Sequence, residues 1–283
     1  MFKKFSYYLP NLAHSWLIVF LVIAGQFLAG LLGNLLISIG FLPASAVDSG
    51  LLMFVDYTLG FIPMIIFIAI ISSRKKKAED AVSIPVDSLD KGRLSHLQYW
   101  PLMIMTMVAF IFVVDAMPSP TPPQWFQDMM DKIADGKLIW TILSVGVAAP
   151  ILEELTFRGI IMRGLLRKYT PMVAILWSAA FFGAVHLNPW QMIPAIVFGV
   201  FFGWVYYKTG SLWTTIMFHS INNTSSVLFA YFSPVAMNVD HFKDLFNNPL
   251  AYYILVALCF IIFAGGVYII EKNIKYDKSN TSL

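Results

Sequence analysis

Glu153 and Glu154 stand side by side in AAPILEELTFRGIIMR, residues 148–163, and Arg158 follows the second acid by four positions. The residues around them are apolar, and Leu138–Pro150 upstream carries no charge. A charged group at the centre of a bilayer costs about 2.5–3.5 kcal/mol on insertion scales, so a cluster of three reads as functional by default. On a helix Glu154 and Arg158 share a face and can pair, while Glu153 points about 100° away. One acid is thus expected to be partnered and the other free, an asymmetry that gives two like groups different work. FFGAVHLNPW adds Phe182 and His186, four apart on one face, and TTIMFHSINNT adds His219 and Asn223 with the same spacing. Polar side chains in a lipid-surrounded bundle turn inward and find each other. Acids and imidazoles meeting inside a bundle suit proton transfer to and from a water. Glu153, His186 and His219 also supply the donor types of a His₂Glu zinc site with an open position, although no H-E-x-x-H run occurs.

Helices must bring these groups together, and the composition says where those helices lie. The chain is 58% hydrophobic and 12% charged, against about 25% charged in a soluble domain. This is the make-up of a membrane protein with several spans. Cys259 is the single cysteine, which excludes an intrachain disulfide and a cysteine metal cluster. Lysines precede the apolar run Trp16–Ile39, but that run is too long for a signal-peptide core and is expected to be a retained first span. At about 20 residues per span, eight segments qualify: Ser15–Ile39, Leu51–Ser72, Trp100–Met117, Leu138–Leu166, Pro171–His186, Trp190–Tyr207, Ser211–Phe232 and Leu250–Ile270. With the N-terminus inside, only Lys132, Lys137 and Lys243 among the loop cations fall outside, as the positive-inside bias requires. The expected fold is all-α, a polytopic membrane protein of about eight transmembrane helices with both termini cytoplasmic. Its parts are a three-span N-terminal region over 1–137, a four-span core over 138–232, and an outer loop, last span and tail over 233–283.

Most connections read as ordinary. Ser73–Tyr99 opens with RKKK and is expected to anchor at the headgroups. Within Pro118–Gly136, WFQDMMDKI has the spacing of a short amphipathic helix on the outer interface, for which the functional alternative is a substrate lid. Ser233–Pro249 is a polar outer loop. His14, His96 and His241 read as solvated, and Asp56 and Asp115 as structural or solvated near outer span ends. Ser144, Ser178 and Ser220 read as packing residues. Gly199 and Gly203 allow close helix approach. Pro150 removes a backbone donor just before the acids and is expected to bend the helix there, opening room for water.

EELTFR, FGAVH and HSINN, in this order on successive spans and with KTGSLW leading into the last, resemble the motifs of the CAAX protease and bacteriocin-processing family (CPBP, or Abi) of intramembrane proteases. The resemblance covers about Leu138–Phe232. It implies a peptide hydrolase in which Glu153 activates a water and His186 holds or polarises it. His219 and Asn223 would then donate to the oxyanion, while Glu154 with Arg158 braces the helix. It favours chemistry without a cofactor, with zinc on Glu153, His186 and His219 as the alternative. The implied partners are membrane lipid and a membrane-associated or lipidated peptide or protein, with no nucleic acid. The implied location is a bacterial inner or plasma membrane. A non-catalytic scaffold or immunity-type protein on the same fold is the second reading; it would be marked by loss of a motif residue, and none is lost. A proton-relay transporter, the third, predicts matched pairs of broken helices that the chain lacks.

Overall fold

The computed structural model of the chain describes residues 2–43, 45, 50–78, 81–118, 122–135, 137–232, 242–246 and 248–274. His241, most of the expected outer loop after Phe232, and Lys275 and Lys278 lie outside them. Among the described residues the fold is all-helical. In chain order the main helices are α1 (Leu12–Ser38), α2 (Leu51–Lys76), α3 (His96–Asp115), α4 (Gln124–Asp135), α5 (Leu138–Leu165), α6 (Pro171–Ala184), α7 (Pro189–Thr209), α8 (Leu212–Phe232) and α9 (Pro249–Asn273). Every segment expected to span is a helix. Six of them (α1, α2, α3, α5, α7 and α9) are long and apolar enough to cross a bilayer, while α6 is a shorter apolar helix. The chain is a multi-pass integral membrane protein. Although α8 is long enough, His219, Asn222, Asn223 and a run of hydroxyls make it polar. In a bundle such a helix survives only where neighbours satisfy it.

The two ends of the described chain meet at one end of the bundle. Arg163, at the close of α5, donates to the carbonyls of Phe5 (2.8 Å) and Tyr8 (3.1 Å), and Lys208 pairs with Glu271 at 2.7 Å. The Arg93 amide donates to the Asn273 carbonyl at 3.3 Å. Burial beside these contacts pushes the Tyr8 phenol up to about 12. Arg163, which lies within the expected span Leu138–Leu166, is buried, because its fork satisfies carbonyls from the N-terminal turn and also that of Ile84 in the connector.

That connector does more than anchor at headgroups. Residues 84–90 run along the same end, where the Ser88 amide donates to Gly210 and the Asp90 amide to Thr209. The left-handed Gly210 (φ 63°) sits where a Cβ would lie 2.5 Å from the Ser88 carbonyl oxygen. Asp87 Oδ1 accepts from the Leu212 amide at 2.8 Å, satisfying one of the free donors at the start of α8. The helix that carries His219 is therefore seated by a residue far from it in sequence.

Helix α5 alternates between α and π geometry. Residues 142–148 and 155–162 are π-helical, and both flank the α-helical turn that holds the acids. Short π segments cluster at functional sites. The expected disturbance at Pro150 takes this form. The Ala149 amide reaches back to the Ser144 carbonyl, five residues away. In that register the Val145 carbonyl would next be served by residue 150, which is proline and has no N–H. A carbonyl is thus left for a side chain to fill.

Candidate active site

Asn223 fills it. Its Nδ2 donates to the Val145 carbonyl at 2.9 Å, and the Asn222 amide donates to Asn223 Oδ1 at 3.2 Å. Close approach of α8 to α5 makes this contact: a Cβ on Gly146 would lie 2.5 Å from Thr224 Oγ1. Since a primary amide has two donor hydrogens, one N–H of Asn223 remains for another acceptor.

Arg158 pairs with Glu154 at 2.8 Å, both side chains fully buried. Its second nitrogen donates to the Gly199 carbonyl at 3.1 Å, and its guanidinium lies 4.6 Å from the Phe182 ring centre and 5.6 Å from that of Phe202. Gly199 lets α7 come this near, since its Cβ position is 3.0 Å from Ala179 on α6. Ser178 Oγ donates to the Phe157 carbonyl at 2.9 Å and so ties α6 to α5, the packing role expected of it.

One imidazole stands between the two acids. His219 Nδ1 is 3.0 Å from Glu154 Oε1, and its Nε2 is 3.6 Å from Glu153 Oε2. The two carboxyls diverge along α5, yet they reach opposite edges of the same ring. Glu153 is 7% exposed and His219 5%. Phe182 stands edge-on to both histidines, with ring centres 5.4 Å from His186 and 5.4 Å from His219. His186 Nδ1 is 2.9 Å from the Phe182 carbonyl. That contact places the proton of the neutral ring on Nδ1 and leaves Nε2 as an acceptor. The next residue, Leu187, takes a left-handed φ of 57°, uncommon for a branched side chain. Asn188 steadies this turn by donating to the His186 carbonyl at 2.9 Å and accepting from the Gln191 amide at 2.9 Å.

Glu153 is not free, as the sequence reading has it. Tyr57 on α2 donates its hydroxyl to Glu153 Oε1. A carboxylate this buried needs a donor, and the neighbouring helix supplies one. The Tyr57 backbone is itself held. Helix α2 breaks at Phe61, whose amide turns to Thr58 and Leu59; the Tyr57 carbonyl so released accepts from Gln26 Nε2 of α1 at 3.0 Å. Tyr57 and Gln26 escape the motif reading because a tyrosine or glutamine in an apolar run carries no spacing signal. Their polarity inside proposed spans is the one clue.

Glu153, His186, His219, Asn223, Tyr57 and Gln26 all line a cavity of about 540 Å³ inside the bundle. Glu154 and Arg158 stand behind it. Met130 of α4 also borders the cavity, and Trp125 and Phe126 of α4 pack on Trp190 with ring centres 5.5 and 5.8 Å away. The amphipathic helix expected in this loop is therefore present and lies against the cavity. Glu153, His186 and His219 carry the donor types of a zinc site, but among the described residues no three His, Cys, Asp or Glu side chains are placed together to hold a metal ion.

Residues 135–225 match the family model described as Type II CAAX prenyl endopeptidase Rce1-like. The chain is also similar to the curated Bacillus subtilis (strain 168) protein "Putative membrane peptidase YdiL", at 33% identity over 87 residues. That alignment covers 31% of this chain and 36% of the relative, so the chain spans about a third of the relative's length. No solved structure matches the chain. The matched segment runs from the start of α5 to the middle of α8, about a third of the chain, and contains the acids, both cavity histidines and Asn223.

Proposed function

We propose that the chain is an intramembrane endopeptidase that hydrolyses a peptide bond of a membrane-associated or lipidated peptide or protein. One observation carries this reading: Glu153 Oε2 and His219 Nε2 face each other at 3.6 Å at the wall of a cavity inside the bundle. Glu153 takes a proton from a water as that water's oxygen attacks the scissile carbonyl carbon. His186 accepts from the same water through Nε2. The oxyanion that forms meets the second N–H of Asn223. With Nδ1–H given to Glu154, a doubly protonated His219 meets it through Nε2–H as well. Such donors supply about 2.7–4 kcal/mol each. The C–N bond then breaks, and the proton on Glu153 passes to the leaving nitrogen. Glu154 and Arg158 hold His219 from behind. The family match and the membrane-peptidase name of the relative support a protease, and the bacterial relative suits a bacterial membrane.

The test is cleavage of membrane-proximal and lipidated peptides by the detergent-purified protein, beside Glu153→Ala and His219→Ala, with and without a chelator. Loss in both variants and indifference to chelation fit the proposal. Cleavage undiminished in Glu153→Ala removes the assigned base, and chelator-sensitive cleavage replaces the mechanism with a metal-dependent one. A protein that binds these peptides without cutting any of them returns the scaffold reading.

A further inference from the structure

We infer that Tyr57 is a positioning residue for Glu153, holding Oε1 so that Oε2 is the oxygen that meets the water. This rests on Glu153 being the base.

A glutamate side chain has three rotatable bonds, and its terminal carboxyl torsion is broad. Burial alone does not choose which oxygen faces the cavity. Here the two oxygens have different neighbours. Oε1 accepts from the Tyr57 hydroxyl. Oε2 looks at His219 Nε2 across 3.6 Å, too long for a direct hydrogen bond and open to the cavity that both residues line. His219 is committed through Nδ1 to Glu154, so it does not fix the carboxyl of Glu153.

The phenol is well suited to fix it. Its ring is packed 5.4 Å from that of Phe61, and Gln26 ties down its backbone carbonyl. Gln26 in turn lies against Gly60, where a Cβ would come within 2.5 Å of its amide carbon. The chain of contact runs from α1 through the break in α2 to the acid on α5. Gln26, Tyr57, Gly60 and Phe61 lie outside residues 135–225, so the N-terminal spans supply a part that the family segment does not contain.

The test uses the full chain in detergent and Tyr57→Phe, which keeps the ring and removes the hydroxyl. Misplacing a reacting group by about 1 Å can cost 10²-fold. We expect kcat to fall about 10- to 100-fold on that ground, with KM unchanged and the melting temperature lowered only by the one lost hydrogen bond. A second readout needs no turnover. The carboxylate infrared band that disappears in Glu153→Gln should shift in Tyr57→Phe. Wild-type kcat in Tyr57→Phe, an unshifted band, or a loss carried by a raised KM with kcat unchanged each overturns the inference. If Glu153→Ala is inactive while Tyr57→Phe cleaves normally, the positioning role falls and the proposed function stands. If Glu153→Ala cleaves as well as wild type, both fall.

Discussion

Two apolar cores hold this bundle, and they stand on different physics. The first gathers Ile18, Val22, Phe61, Phe157, Ile161 and Phe181 from α1, α2, α5 and α6. The second gathers Met103, Phe110, Phe201, Phe218 and Ile270 from α3, α7, α8 and α9. In the second, rings meet rings: Phe110 stacks on Phe263 at 4.7 Å and Phe201 on Phe218 at 5.5 Å. Uncharged or single-acid hydrogen bonds cross it, Tyr99 with Thr214 inside the core and Tyr252 to Asp115. Lipid tails are as apolar as these rings, so that core gains little beyond van der Waals packing. The first core adjoins buried ions and histidines that have no substitute partner in lipid. Removing one member there leaves another stranded, whereas removing a ring from the second core leaves only a gap.

The difference predicts a graded set of losses. Arg158→Met leaves the buried Glu154 carboxylate with His219 as its remaining partner and should cost about 3–5 kcal/mol of stability, read by denaturant unfolding in detergent; adding Glu154→Gln should recover part of it. Asn223→Ala removes a proposed oxyanion donor worth about 2.7–4 kcal/mol. The same change re-orphans the Val145 carbonyl, so kcat and melting temperature should fall together. Phe201→Ala loses dispersion contacts and leaves a cavity but strands no charge, so it should cost less than Arg158→Met, and kcat in the surviving fold should hold. Asp87→Ala removes a helix cap worth about 1 kcal/mol and should lower the melting temperature modestly with the chemistry intact. Equal losses from Arg158→Met and Phe201→Ala would erase the contrast between the two cores.

Much of this arrangement is legible in the sequence, for definable reasons. Hydropathy marks the six long apolar helices and the shorter α6 because a span must satisfy its backbone internally and cover itself with apolar side chains. Spacing of four reveals the Glu154–Arg158 pair, the Phe182–His186 edge contact and the His219–Asn223 face, since all are contacts within one helix or on one helical face. What spacing cannot encode is contact between helices. Tyr57 and Glu153 are 96 residues apart, so Glu153 reads as free when it is not. The π register around Pro150 is hidden for a related reason. A proline announces a missing donor, but only the neighbouring helix shows that Asn223 answers the orphaned carbonyl. The connector 84–90 has no periodicity, which hides Asp87 as a cap, and Arg163 at a span end looks like any solvated cation.

The central claim is that Glu153 activates the water. Its most direct test is the single-turnover cleavage rate of one membrane-proximal peptide by wild type and by Glu153→Gln, compared at equal melting temperature and equal peptide affinity. The isosteric amide cannot take the proton, and general-base catalysis is worth about 10²–10⁴-fold, so the rate should fall by that factor. A Glu153→Gln protein that cleaves at the wild-type rate would contradict the account.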